Sequence, residues 1–273
     1  MGRFDDILIV SDVDDTFLAK GGALPPNNID SIKYFLSEGG KFTFATGRVH
    51  QALLVSIPAA KEIVNAPGIM TNGAYIYDFE NNEMLQRKFL NPDDARKVAE
   101  FVFDYNDEVG IRYSSISGTS YCRFPPDYLG DYEKRVYKDS PLLPKEQWHF
   151  ADCYKIVVRG KSEELDDLRS AIELRFGDLF ELVKSGEDFL EIQKKGCTKG
   201  AAIDGLREYY QQKGVKVKIY ACGDYENDLS MLKKADVAVC PSNACKAVKD
   251  ICDMVLCHCN EGLIAYLINQ ING

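Results

Sequence analysis

The sequence predicts an α/β fold in which a Rossmann-like core with a parallel sheet is interrupted by an inserted α+β domain. Three observations carry this. Short continuous apolar runs recur towards both ends of the chain, and helical patterns alternate with them. The middle has another texture, rich in Tyr and Asp and poor in such runs. A length of 273 residues suits one large α/β domain or two smaller ones, and 45% hydrophobic content supplies a sizeable core.

The runs lie at 7–10, 42–45, 219–222, 237–239 and 254–256, as expected of strands buried on both faces. Asn28 is placed to cap a helix carrying Ile29, Ile32, Phe35 and Leu36, which Gly39-Gly40 ends before the second strand. Strand, helix, strand implies a right-handed crossover. In the middle, Asn91-Pro92-Asp93-Asp94 opens a helix with Ala95, Val98, Phe101, Val102 and Tyr105 on one face. A strand follows at 154–158, and Ser162 is placed to cap a helix with Leu165, Leu168 and Ile172. The strand-like stretch 189–192 leads back to the α/β part. The insert is therefore expected at 84–188, with 1–83 and 189–273 forming the core. Leu229, Met231 and Leu232, then Ala247, Val248 and Ile251, mark helices between the last strands.

Lys+Arg 33 against Asp+Glu 42 gives a net charge of -9, so the electrostatic footprint of a nucleic-acid or anionic-membrane binder is absent. An anionic small substrate would need local compensation by a metal or by Lys and Arg. The start of the chain is too acidic, and its first apolar run too brief, for a secretion signal. No apolar stretch is long enough for a spanning helix, so a cytoplasmic protein is expected. Nine Cys without repeated CxxC spacing suggest reduced thiols. The one tight cluster, Cys252, Cys257, His258 and Cys259, reads either as a soft-metal site or as residues flanking a strand.

The sharpest local signal is Asp12-Val13-Asp14-Asp15-Thr16, directly after the first strand. Asp12 and Asp14 project to one side of an extended chain, and carboxylates held so close repel unless a cation or a shared proton relieves them. Mg²⁺, a hard cation that favours oxygen ligands, is the natural relief; a solvated acidic turn is the alternative. Position weighs between them. Thr46-Gly47-Arg48, Thr71-Asn72-Gly73 and Gly223-Asp224 each follow a predicted strand, so Asp12, Asp14, Thr46 and Asp224 can converge at one edge of a parallel sheet. Lys199, in the first turn of a helix, opposes the helix dipole unless a phosphate lies between it and the acidic strand ends.

Taken in order, Asp12-Val13-Asp14-Asp15-Thr16, Ala45-Thr46-Gly47-Arg48, Cys197-Thr198-Lys199-Gly200 and Gly223-Asp224-Tyr225-Glu226-Asn227-Asp228 resemble the haloacid dehalogenase (HAD) superfamily of Mg²⁺-dependent phosphohydrolases, in its Cof-like branch with the IIB cap (type C2B). Thr71-Asn72-Gly73-Ala74, Ser242-Asn243-Ala244 and Glu261-Gly262-Leu263 add to the likeness. Asp15 departs from it, since this branch more often has Gly there. The resemblance implies Asp12 as nucleophile forming an aspartyl-phosphate and Asp14 as general acid/base. It implies Mg²⁺ on the Asp12 carboxylate, the Asp14 backbone carbonyl and the Asp224 carboxylate, with Asp228 in support. Thr46, Gly47 and Lys199 would hold the phosphate, Asn227 would position Lys199 or the phosphate, and Arg48 and Asn72 would reach the substrate. The implied substrate is a small phosphorylated metabolite, most commonly a sugar phosphate. Pyridoxal phosphate, flavin mononucleotide, a phosphomutase reaction and a regulatory binding module on a phosphatase scaffold are the alternatives.

Overall fold

The computed structural model describes residues 2–126 and 137–272; residues 127–136, inside the expected insert, lie outside the described set. The chain divides into two units, Met1–Arg87 with Thr198–Gly273, and Lys88–Cys197.

The first unit opens with β1 (Ile7–Ser11), α1 (Pro26–Ser37) and β2 (Lys41–Phe44). It continues through α2 (His50–Ser56), α3 (Ala60–Ile63) and the hairpin strands β3 (Gly68–Met70), β4 (Tyr75–Asp78) and β5 (Glu83–Arg87). The second unit holds α4 (Pro92–Tyr105), β6 (Gly110–Ser115), β7 (Gly118–Arg123), β8 (Cys153–Arg159), α5 (Ser162–Phe176), β9 (Phe180–Gly186) and β10 (Phe189–Lys194). The chain then completes the first unit with α6 (Lys199–Gln212), β11 (Lys218–Cys222), α7 (Leu229–Leu232), β12 (Val237–Cys240), α8 (Lys246–Lys249), β13 (Met254–Val255) and α9 (Leu263–Asn272).

The first unit's main sheet runs β13-β12-β11-β1-β2, and every pairing in it is parallel. Leu8, Val10, Ile219, Ala221, Ala238 and Cys240 lie in its core, which is why these strands read as unbroken apolar runs. The register aligns the strands' carboxyl ends: Ser11 sits opposite both Cys222 and Phe44. The next backbone bonds run from Asp12 N to Cys222 O and from Ala45 N to Ser11 O, both 2.8 Å. Residues leaving β1, β2 and β11 therefore emerge side by side, about 5 Å apart per strand.

The second unit's sheet, β7-β6-β8-β10-β9, is antiparallel throughout. Ala95, Val98 and Val102 of α4, and Leu165, Leu168 and Ile172 of α5, share its core with Ile111, Ile156, Val158, Leu190 and Ile192. Asn91 caps α4 by accepting from Asp93 N and Asp94 N, with Pro92 at the first helical position.

Three expectations are corrected. The stretch at 189–192 does not lead back to the core: β10 pairs with β8 and β9, and the chain returns only after Cys197. Likewise β5 pairs with β4 and stays with the first unit, so the insert begins at 88 rather than 84. An apolar strand carries no mark of which sheet it will join. Asn28 and Ser162 are not helix caps, because Pro25 and Lys161 hold those positions and both residues lie within their helices. No helix among the described residues is long and apolar enough to cross a membrane.

Candidate active site

Asp12 leaves β1 into a tight turn, Val13–Phe17, whose regular winding is broken at Asp14 (φ -75, ψ 133) and Asp15 (φ 54, ψ 11). Phe17 anchors its far end against Phe42 and Phe44, with ring centres 6.1 and 4.8 Å away. Asp224 leaves β11 one strand over. Gly223 permits this path, since a Cβ there would stand 2.5 Å from the Asp228 side chain. Asp228 closes the loop by accepting from Asp224 N (2.9 Å) and Tyr225 N (3.2 Å).

Lys199 enters from α6, which Thr198 caps by accepting from Ala201 N. Gly200 packs the helix start against the 230 turn, where any Cβ would meet Ser230 O at 2.3 Å. The close approach puts the fully buried Lys199 ammonium 2.6 Å from both Asp12 Oδ1 and Asp228 Oδ1. Lys199 is therefore a buried residue of the acidic strand ends and not a surface charge.

Asp12, Asp224 and Asp228 can each offer an oxygen within 4.8 Å of the others. Burial pushes the Asp12 carboxyl well up, only partly opposed by Lys199, and Asp228, Asp224 and Asp14 raise it further. Burial, with Asp228 beside it, pushes Asp224 up to about 7. Burial alone would lower the Lys199 pKa, but Asp12 and Asp228 more than offset that, and the ammonium is held in its charged form. Thr16 donates to Asp224 Oδ1 at 2.6 Å. Three buried carboxylates around one ammonium leave excess negative charge, and an all-oxygen donor set of this kind fits a hard divalent cation such as Mg²⁺.

Asp14 stands apart from that triad. Its carboxylate is largely exposed and meets Arg48 in a two-pronged contact, Nη2 to Oδ1 at 2.6 Å and Nε to Oδ2 at 3.0 Å. Arg48 also donates to Ser56. Thr46 and Gly47 lie in the loop after β2, and Thr46 Oγ1 accepts from Arg48 N. Asn72 N bonds Thr46 O, and Thr71 N bonds Arg48 O, tying this loop to the turn after β3. Thr71 and Asn72 both take left-handed dihedrals (φ 53 and 51), unusual for a β-branched residue and a mark of a constrained site. Asn227 reaches Asn72 Oδ1 at 3.3 Å rather than Lys199, which Asp12 and Asp228 position instead. Among the described residues no second group of three His, Cys, Asp or Glu gathers in this way, so Cys252, Cys257, His258 and Cys259 form none. Thr16, as the anchor of Asp224, was not singled out from the sequence, although the spacing of the first motif contains it.

The sequence profile of the haloacid dehalogenase-like hydrolases matches residues 9–268. The chain belongs to this family. It is an enzyme of the HAD phosphatase type, with the Cof-like motif set and an inserted α+β unit. It is 24% identical to the 5-amino-6-(5-phospho-D-ribitylamino)uracil phosphatase YwtE of Bacillus subtilis, over 96% of this chain and 97% of that protein. The HMP-PP phosphatase of Serratia proteamaculans is also 24% identical, over 96% and 94%. The crystal structure of TM0651 from Thermotoga maritima superposes with a TM-score of 0.76 at 26% identity, covering 97% of each chain.

Proposed function

We propose that this HAD enzyme hydrolyses the phosphate ester of a small metabolite, a sugar phosphate before other classes, through an aspartyl-phosphate on Asp12. The observation that carries the reading is the Asp12 carboxylate itself. One oxygen is held by Lys199, and among the described residues the other takes no hydrogen bond, which leaves it as the attacking atom.

In the first step that oxygen bonds to phosphorus as the ester P–O bond breaks, and Asp14 gives a proton to the departing alkoxide. In the second, Asp14 takes a proton from water, the water oxygen bonds to phosphorus, and the bond to Asp12 breaks to restore the carboxylate. Lys199 stabilises the negative charge on the transferring group, and Thr46 offers its hydroxyl to a phosphoryl oxygen. Asp12, Asp224, the Asp14 carbonyl and, in support, Asp228 would hold Mg²⁺, whose chemistry here is to neutralise phosphoryl charge. Relatives that act on a ribityl phosphate and on HMP-PP support a small phosphorylated metabolite as the shared chemistry.

Turnover of p-nitrophenyl phosphate with Mg²⁺ and with chelator, followed by hydroxylamine trapping of the acid-quenched enzyme, tests the reading. Mg²⁺-dependent release of phosphate and a trapped acyl group at Asp12 are expected. Turnover undiminished by chelator, or by Asp12→Asn, would overturn it. A panel of sugar phosphates, pyridoxal phosphate and flavin mononucleotide then ranks the substrates.

A further inference from the structure

The turn that carries Asp14 is held at its middle and at its far end by asparagine side chains that no step above uses. Asn243 Nδ2 donates to Asp15 O at 2.9 Å, while its Oδ1 accepts from Cys259 N at 3.0 Å. Asn28, fully buried, repeats the pattern: Nδ2 donates to Phe17 O at 2.9 Å and Oδ1 accepts from Ala265 N at 3.1 Å. Each carboxamide thus joins a carbonyl of the Val13–Phe17 turn to an amide of the segment 259–265. A short side chain with both a donor and an acceptor is needed at each place; aspartate lacks the donor and glutamine is longer by a methylene.

The location of the first link matters for chemistry. Asp15 has φ 54, a left-handed conformation that costs glycine less than aspartate. Fixing its carbonyl fixes the peptide that joins it to Thr16, whose hydroxyl holds Asp224. The same link sets the direction in which the chain presents Asp14.

We infer that Asn243 is a positioning residue, clamping the left-handed Asp15 so that Asp14 and the Thr16–Asp224 pair stay in register, with Asn28 anchoring the far end of the turn. The inference rests on the function proposed above. Asn243→Ala should lower kcat on the order of tenfold or more while KM stays within about threefold. Asn243→Asp, which keeps the acceptor but sets a carboxylate against Asp15 O, should be no better. Asp15→Gly in the Asn243→Ala background should restore most of the loss, since glycine holds the conformation without a clamp. Hydrogen exchange over residues 13–18, measured without substrate, should quicken in Asn243→Ala. A kcat per folded molecule within about twofold of wild type in Asn243→Ala, whether or not the melting temperature falls, would overturn the inference. So would a double variant no faster than the single one. If the wild-type enzyme itself shows no Mg²⁺-dependent turnover, the functional reading fails, and unchanged exchange over 13–18 would then refute the clamp separately.

Discussion

Each of the two units buries a lysine against carboxylate, and the surroundings differ. In the second unit, Lys155 meets Glu191 at 2.7 Å, both nearly inaccessible, and Ser185 donates to the other Glu191 oxygen. The pair joins β8 to β10, one positive charge against one negative. In the first unit, Lys199 faces Asp12 and Asp228, with Asp224 close behind. The charges there do not cancel. Burying net charge is costly, and a fold that needed only rigidity would gain nothing from it. The acid excess at Lys199 is the feature on which the proposed cation and phosphoryl chemistry rests.

Breaking the unbalanced cluster should affect turnover most. On the proposed mechanism Asp12→Asn replaces the attacking carboxylate with an amide that is no nucleophile, so turnover should fall on the order of a thousandfold or more. The fold should survive, and relief of repulsion should leave the melting temperature equal or higher; a variant with near-normal turnover would contradict the assignment. Lys199→Ala comes next. Losing charge-assisted hydrogen bonds of about 1.5 to 3 kcal/mol should cut catalytic efficiency on the order of tenfold to a hundredfold. Lys199→Arg should recover little, because the planar guanidinium does not fit a pocket shaped for an ammonium. Full activity in both variants would return Lys199 to a structural role.

The Lys155–Glu191 pair should respond in stability instead. Lys155→Met takes the ammonium away from the buried Glu191 carboxylate, a loss of about 3 to 5 kcal/mol, and adding Glu191→Leu should recover most of it. Chemical denaturation of both variants measures this. A double variant as unstable as the single one would show that the pair is more than mutual neutralisation.

The smallest effect is on pH dependence. Asp224 is raised from 3.8 to about 7 in the folded protein, so within that window the native state holds a proton the unfolded chain has released. Stability contributed by that proton is present at low pH and is lost as pH rises through 7. In chelator, wild-type melting temperatures should therefore fall relative to those of Asp224→Asn between pH 5 and pH 8 on the order of a few degrees. Mg²⁺ should flatten the difference by replacing the proton. A wild type that gains on the variant across this range in chelator would reverse the assigned sign.

The main strands were legible because a parallel strand covered on both faces must be apolar throughout; the runs at 7–10, 42–45, 219–222 and 237–239 coincide with β1, β2, β11 and β12. Residues following those runs could then be placed at one sheet edge by topology alone. Side-chain function was harder to read. Asn28 has the residue type of a cap, yet it lies inside α1 and spans to α9. Asn227 sits beside a site aspartate in sequence and bonds Asn72 instead. A local pattern reports which bonds a residue can make, and remote segments decide which it does.

The sequence by itself determined the α/β class, the presence of an insert and the residue types offered at each strand end, because periodicity and motif spacing are local properties of the chain. Only the tertiary structure decided that β10 joins the insert and that Arg48 holds Asp14. It alone placed one ammonium between carboxylates at positions 12 and 228. The physical reason is that charge balance and hydrogen-bond satisfaction in a buried site are sums over neighbours far apart in sequence, and those neighbours are chosen by sheet register and close backbone packing.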